Sequence, residues 1–170
     1  MIATQLVPPA LTLVFVATMT VAMVWDLATY EIPDLLSLVL VVVGAAALLA
    51  GQGWGGLAGH GFAALGAFAF GVAMFALGQW GGGDVKFMAA TSLWLGWPAL
   101  LDYLLVVAVA GGVLALAVLA FRRLKLPPGW AERPWLARLH RAEQGLPYGV
   151  ALGIGGLAMA RPVVVSVFAG

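Results

Sequence analysis

Apolar residues run through this chain in long blocks, broken by short clusters of Gly, Pro and a few charges, without the alternation of a half-buried strand. Blocks of this length suit helices that cross a hydrocarbon layer, which need about 20 apolar residues each. Runs and breakers predict six spans, at roughly 6–25, 35–51, 57–79, 85–97, 100–121 and 147–168. The fourth is short and ends at Gly96-Trp97-Pro98, so it reads either as a partial span or as one joined closely to the fifth. Connections such as Gly51-Gln52-Gly53-Trp54-Gly55-Gly56 leave no room for an extramembrane domain. The expected fold is all-α: a polytopic transmembrane bundle forming one domain over 1–170, with a basic loop at about 122–146.

Composition agrees. Of 170 residues, 64% are hydrophobic and 9% charged, too few charges to solvate a globular surface in water. The absence of cysteine excludes disulfides and thiolate metal sites. The N-terminal block resembles a secretory signal only superficially. No Lys or Arg precedes Lys86, and the apolar run is too long for a signal core, so it reads as a retained helix.

Charge placement sets an orientation. Six of the eight Lys and Arg residues (Arg122, Arg123, Lys125, Arg133, Arg138 and Arg141) fall between spans five and six, which puts that segment in the cytoplasm by the positive-inside rule. Alternation then places 26–34 and 80–86 on the same side, with both termini, 52–56 and 98–99 on the other. Lys86 agrees, whereas Arg161 lies near the end of span six and reads as snorkelling outward. Within the basic loop, Trp135, Leu136 and Leu139 can face lipid while Arg138 and Arg141 face water, the pattern of an interfacial helix on an anionic leaflet. His140 there reads as solvated. Gly-x-x-x-Gly spacings at Gly55/Gly59 and Gly149/Gly153 permit close helix contact, but among 23 glycines they are weak pointers.

The same topology sorts the seven acids. Asp26, Glu31, Asp34, Asp84, Glu132 and Glu143 are cytoplasmic, while Asp102 and His60 are on the far side. Glu31 reads as a solvated loop residue, and Asp34, after Pro33 and before Leu35-Leu36, as a helix N-cap. Asp84 follows Gly81-Gly82-Gly83 and reads either as another N-cap or as a functional carboxylate at the membrane edge. Asp26 ends the first span, where the helix dipole disfavours a negative charge, so it reads as functional with Asp84 as its partner. Two carboxylates at a partly dry interface share a proton and titrate as a unit. One can take a proton from a water held between them while the other, protonated, polarises a peptide carbonyl. The glycines beside Asp84 would let an extended backbone come close. Lys86 reads as easing the charge at Asp84, contacting a substrate, or snorkelling.

Three segments carry a family resemblance. GGGDVKFMAATSLWLGW resembles the Gly-x-Gly-Asp segment of the type IV prepilin peptidases. DLATYEIPDLLS, residues 26–37, is similar to that family's first catalytic segment, an Asp followed by Ile/Leu-Pro-Asn/Asp. Leu146-Pro147-Tyr148-Gly149-Val150-Ala151 resembles the Pro-Tyr-Gly opening of its last helix. The resemblance implies an inner-membrane aspartic endopeptidase that removes prepilin or pseudopilin leaders at the cytoplasmic face. Asp26 and Asp84 would be its catalytic pair. Gly81, Gly82, Gly83 and Lys86, with Ile32, Pro33 and Asp34 of the first loop, would bind substrate or position the loops. Short-form members often carry basic residues where this chain has Ala28, Thr29, Tyr30 and Glu31. Long members add an N-terminal region with paired cysteines and methylate the new N-terminus; that region is absent, so methyltransferase activity is not expected. The short form looks more like the peptidases of Flp/Tad-type pili. No cofactor, metal or nucleic-acid partner is expected, and oligomeric state is left open. The rival readings are a proton- or cation-coupled transporter and a non-catalytic scaffold of a secretion system.

Overall fold

The structure, a computed structural model, describes residues 2–125, 127–141 and 145–160. The described residues are helical throughout, with no strand among them. Among the described residues six helices follow in order: α1 (Ile2–Thr29), α2 (Asp34–Ala76), α3 (Gly82–Arg122), the short α4 (Pro128–Ala131) and α5 (Pro134–His140), and α6 (Tyr148–Ala158). Three of them contain stretches long and apolar enough to cross a membrane, Pro9–Thr29, Asp34–Ala76 and Gly82–Arg122. Glu143, Arg161 and the end of the predicted sixth span lie outside the described residues.

Four of the predicted spans are thereby joined in pairs, and the joints are single glycines. Gly53 (φ 68°, ψ −161°) interrupts α2, and Gly96 (φ 63°, ψ −178°) interrupts α3. That corner of backbone space is essentially closed to residues with a Cβ. At each joint the chain doubles back. In a straight helix Asp34 and Gly71 would stand about 55 Å apart. Yet Asp34 pairs with Lys86, while Gly71 packs on Val85 and Met88. In α3, Leu104 and Val107 return to share a cleft of about 230 Å³ with Phe70, Trp80 and Tyr148. Pro98, expected in a loop, instead sits in the first turn after the Gly96 break, where its missing N–H costs no hydrogen bond.

The bundle is apolar on both its inside and its outside. Phe15, Met19, Leu40, Phe87, Trp94, Tyr103 and Leu152 fill the interior, and Phe15 tilts against Trp94 at 5.3 Å between ring centroids. The Trp94 Nε1–H donates to the Leu40 carbonyl at 2.8 Å, so its one polar group is satisfied. Gly44 makes room for it, because a Cβ there would lie 2.6 Å from Trp94 Nε1. Thr18, Thr91 and Ser92 return their hydroxyls to carbonyls one turn back, so these three hydroxyls are satisfied within their own helices. The outer surface presents Leu13, Phe62, Leu101, Val109 and Leu116, each more than 60% exposed. Lipid solvates such a surface and water does not.

The basic segment departs from the expectation of a helix lying on lipid. Leu136 is buried, and α5 packs against the ends of α3 and α1. Arg138, expected to face water, is half-buried and donates from Nη1 to the Thr29 carbonyl at 3.3 Å. His140 is likewise engaged, with Nε2 2.9 Å from the Leu124 carbonyl and its ring edge-on to Phe121. Apolar protein and apolar lipid ask for the same periodicity, so the pattern alone does not distinguish them. At the opposite end, His60 Nδ1 lies 2.8 Å from the Leu93 carbonyl and its ring fills the space beside Gly96, while Asp102 is exposed.

Candidate active site

Asp26 occupies the last turn of α1 and points into the bundle, only 3% exposed. The end of its own helix is a poor place for a carboxylate. The fold compensates with a second helix end: α6 begins at Tyr148, and its first-turn backbone amides, Gly149 foremost, face the Asp26 carboxylate. Gly149 is what allows the approach. A Cβ there would lie 2.8 Å from Asp26 Cβ, Asp26 Oδ2 and Ile32 Cδ1 alike. Oδ2 of Asp26 is buried without a hydrogen-bond partner among the described residues.

Asp84 arrives from the other side. It is the third residue of α3, whose N-cap is Gly81, and its Oδ2 accepts the Gly81 N–H at 2.9 Å. It is therefore not itself the N-cap, although it does serve the helix end by reaching back to the cap amide. Of the three glycines before it, Gly81 and Gly83 are crowded, and a Cβ on Gly81 would lie 3.3 Å from Asp84 Oδ2. A Cβ on Gly83 would meet the Ile32 carbonyl at 3.2 Å, whereas one on Gly82 would meet nothing within 4 Å. The left-handed turn that brings the chain into this segment belongs to Gly78 instead (φ 69°).

Asp26 and Asp84 line one cavity of about 250 Å³ together with Tyr30, Glu31, Ile32, Asp34 and Gly81–Gly83. The charge of Asp84 acts directly on Asp26. The space holds several waters or a short stretch of extended peptide. Seven of the nine residues singled out in the sequence thus share one cavity wall.

Pro33 and Lys86 do not line it, and two assigned roles change. Pro33, not Asp34, is the N-cap of α2, and no side chain caps that helix. Asp34, the first helical residue, instead accepts both of its hydrogen bonds from Lys86 Nζ, at 2.8 Å each. The Lys86 ammonium is thus engaged with Asp34 at the cavity rim. Both side chains are more than half exposed, so the pair contributes about 0–1 kcal/mol and acts as a geometric tie between loops.

Tyr30 was given no site role in the sequence. Its backbone is left-handed (φ 61°), unique among the described non-glycine residues, and its N–H closes α1 on the Asp26 carbonyl at 2.7 Å. This is the usual conformation after a helix C-terminus, but it is normally filled by Gly or Asn. For a residue with a Cβ it costs roughly 1–2 kcal/mol. The ring walls the cavity and the hydroxyl is buried beside the Arg122 guanidinium. Burial raises the phenol above its ordinary pKa, opposed by the positive charge of Arg122. Among the described residues no group of three or more His, Asp or Glu side chains is placed to hold a metal ion.

Fold and site together define a class: an integral membrane helical bundle that brings two carboxylates into one cavity at its helix ends. The model of the type IV leader peptidase family matches residues 4–116, and the chain belongs to that family. Among characterised proteins it is similar to the prepilin leader peptidase/N-methyltransferase of Burkholderia pseudomallei strain 1026b. The identity is 32% over 144 residues, covering 78% of this chain and 40% of the relative. The corresponding protein of strain K96243 matches to the same extent. The chain therefore spans less than half the length of these relatives. No solved structure matches it.

Proposed function

We infer that this protein is a membrane-embedded aspartic endopeptidase that cuts the leader from prepilin-like substrates at the cytoplasmic face of the bacterial inner membrane. The observation that carries this reading is the convergence of Asp26 and Asp84 on one cavity. Membership of the leader peptidase family supports it. In the proposed reaction the two carboxylates share one proton and hold a water between them. The ionised carboxylate takes a proton as the water oxygen bonds to the scissile carbonyl carbon, and the protonated one donates to the carbonyl oxygen. Collapse of the tetrahedral adduct breaks the C–N bond: the leaving nitrogen takes the proton gained from water, and the adduct returns a hydroxyl proton to the other carboxylate. The Gly81–Gly83 segment, with no side chains to obstruct it, is where the substrate backbone would lie.

The topology proposed with this reaction has six membrane crossings. Each of α2 and α3 counts as two because each reverses at its glycine, and the ends of the described chain lie on the outer side. The residues from Arg122 to Arg141 then face an anionic cytoplasmic leaflet. Substrates of the Flp/Tad type are part of the same proposal. The relatives are named for leader cleavage and N-methylation, and the reading here concerns cleavage.

The test is co-expression with a Flp-type prepilin in cells lacking their own prepilin peptidase, followed by electrophoretic mobility and N-terminal sequencing of the pilin. A shortened pilin that appears only with this protein is the expected result. Full-length pilin at matched expression, repeated across the prepilins of the source genome, would overturn the reading.

A further inference from the structure

The loop that carries Tyr30 connects both halves of the candidate site. Its N–H holds the Asp26 carbonyl, and two residues later Ile32 lies against Gly83, one residue from Asp84. The Ile32 side chain is buried and also touches the position of the missing Gly149 Cβ, so it contacts both sides of the cavity.

Behind Tyr30 stands a clamp. Arg122, at the end of α3, donates to the carbonyls of Leu139 (3.0 Å) and Gly145 (3.2 Å), and Arg138 donates to Thr29. The phenol is lodged beside Arg122, with Arg138 also near. A glycine would satisfy the backbone at position 30 without strain. The tyrosine present there opposes local preference, and strain at a cavity wall points to a role for the side chain.

We propose that Tyr30 is a positioning residue: its ring, wedged between the cavity and the Arg122–Arg138 clamp, holds the left-handed backbone that seats Ile32 on Gly83 and so fixes Asp26 opposite Asp84. This rests on the endopeptidase reading and adds to it a residue that acts through the placement of the two aspartates. It also gives the basic segment a task beyond contact with lipid, since α5 and the end of α3 brace the wall of the site.

The test uses the full-length protein in detergent or nanodiscs and compares wild type with Tyr30→Gly and Tyr30→Phe. Tyr30→Gly relieves the backbone strain but removes the wedge. It is expected to lower kcat by about 10- to 100-fold while KM stays within about threefold, with Tm unchanged or raised. Amide exchange over residues 29–33 is expected to quicken, with the rest of the bundle unaffected. Tyr30→Phe keeps the ring and is expected to match wild type in exchange and to stay within about threefold in kcat. Wild-type kcat in Tyr30→Gly, a loss that merely follows a fall in Tm, or an equal loss in Tyr30→Phe would each overturn the proposal. The exchange measurement needs no substrate. Unchanged exchange at 29–33 therefore overturns the wedge independently, whereas a wild type that cuts no prepilin overturns only the endopeptidase reading.

Discussion

Contacts of single atoms decide the candidate site at the scale of residues. A methyl group at position 149 would overlap the Asp26 carboxylate and Ile32 at once. Gly149→Ala is therefore expected to reduce cleavage at least about tenfold by displacing Asp26. The protein should still accumulate in the membrane, as immunoblotting of membrane fractions would show. Gly112→Ala in α3, away from the cavity, serves as the control: its methyl group meets nothing, and the activity should stay within about twofold of wild type. Equal loss in the two variants would contradict the geometry. Asp26 stood out in the sequence because a carboxylate ending an apolar run is hard to explain otherwise, whereas Asp84, at the start of a run, read either as a helix cap or as a functional group. Gly149 was legible only as part of a motif. Its importance comes from the approach of a chain more than a hundred residues away, which no local pattern encodes. Asp34 was misread for a similar reason. Position after proline suggests a cap, but Pro33 takes that place and leaves the carboxylate to Lys86.

At the scale of elements, two glycines turn two long helices into hairpins. Gly53→Ala meets no neighbour but must adopt a backbone conformation that excludes a Cβ, at a cost of about 1–3 kcal/mol. Gly96→Ala incurs the same strain and in addition places its methyl 2.9 Å from the His60 ring. Thermal unfolding in detergent should therefore rank stability as wild type, then Gly53→Ala, then Gly96→Ala. A Gly96→Ala protein as stable as wild type would mean that the break is not where the structure has it. Both breaks were visible in the sequence as Gly-rich and Gly-Trp-Pro clusters. What stayed hidden was how little chain they need: the predicted loop over 52–56 is one residue, with helix on both sides. The helix α5 shows the opposite limit. Its amphipathic period was legible, but whether its apolar face meets lipid or protein depends on where α1 and α3 end.

The largest scale adds the membrane. A bundle whose exterior is as apolar as its interior takes its orientation from its charges, and those are concentrated after α3. The chain has no cysteine, so single cysteines report topology without background. Cysteines replacing Glu31, Gly82 or Arg133 should react with an impermeant maleimide only in inside-out vesicles, and those replacing Gly55 or Trp97 only in right-side-out ones. Labelling of positions 55 and 82 from the same side would contradict six crossings. What was legible from sequence at this scale is the apolar, membrane-crossing helical character, because hydrophobic run length survives errors in any one helix boundary, while the proposed orientation is what the labelling tests.

The claim on which the rest depends is that Asp26 and Asp84 together perform the cleavage. Its most direct measurement is cleavage of a prepilin by purified wild type, Asp26→Asn and Asp84→Asn at equal concentration, with products identified by mass spectrometry. Each asparagine is nearly isosteric and leaves the packing of the cavity intact, but it removes a proton-transfer group. The account predicts leader removal by wild type and a loss of at least about a thousandfold in both variants. Robust cleavage by either variant would contradict it.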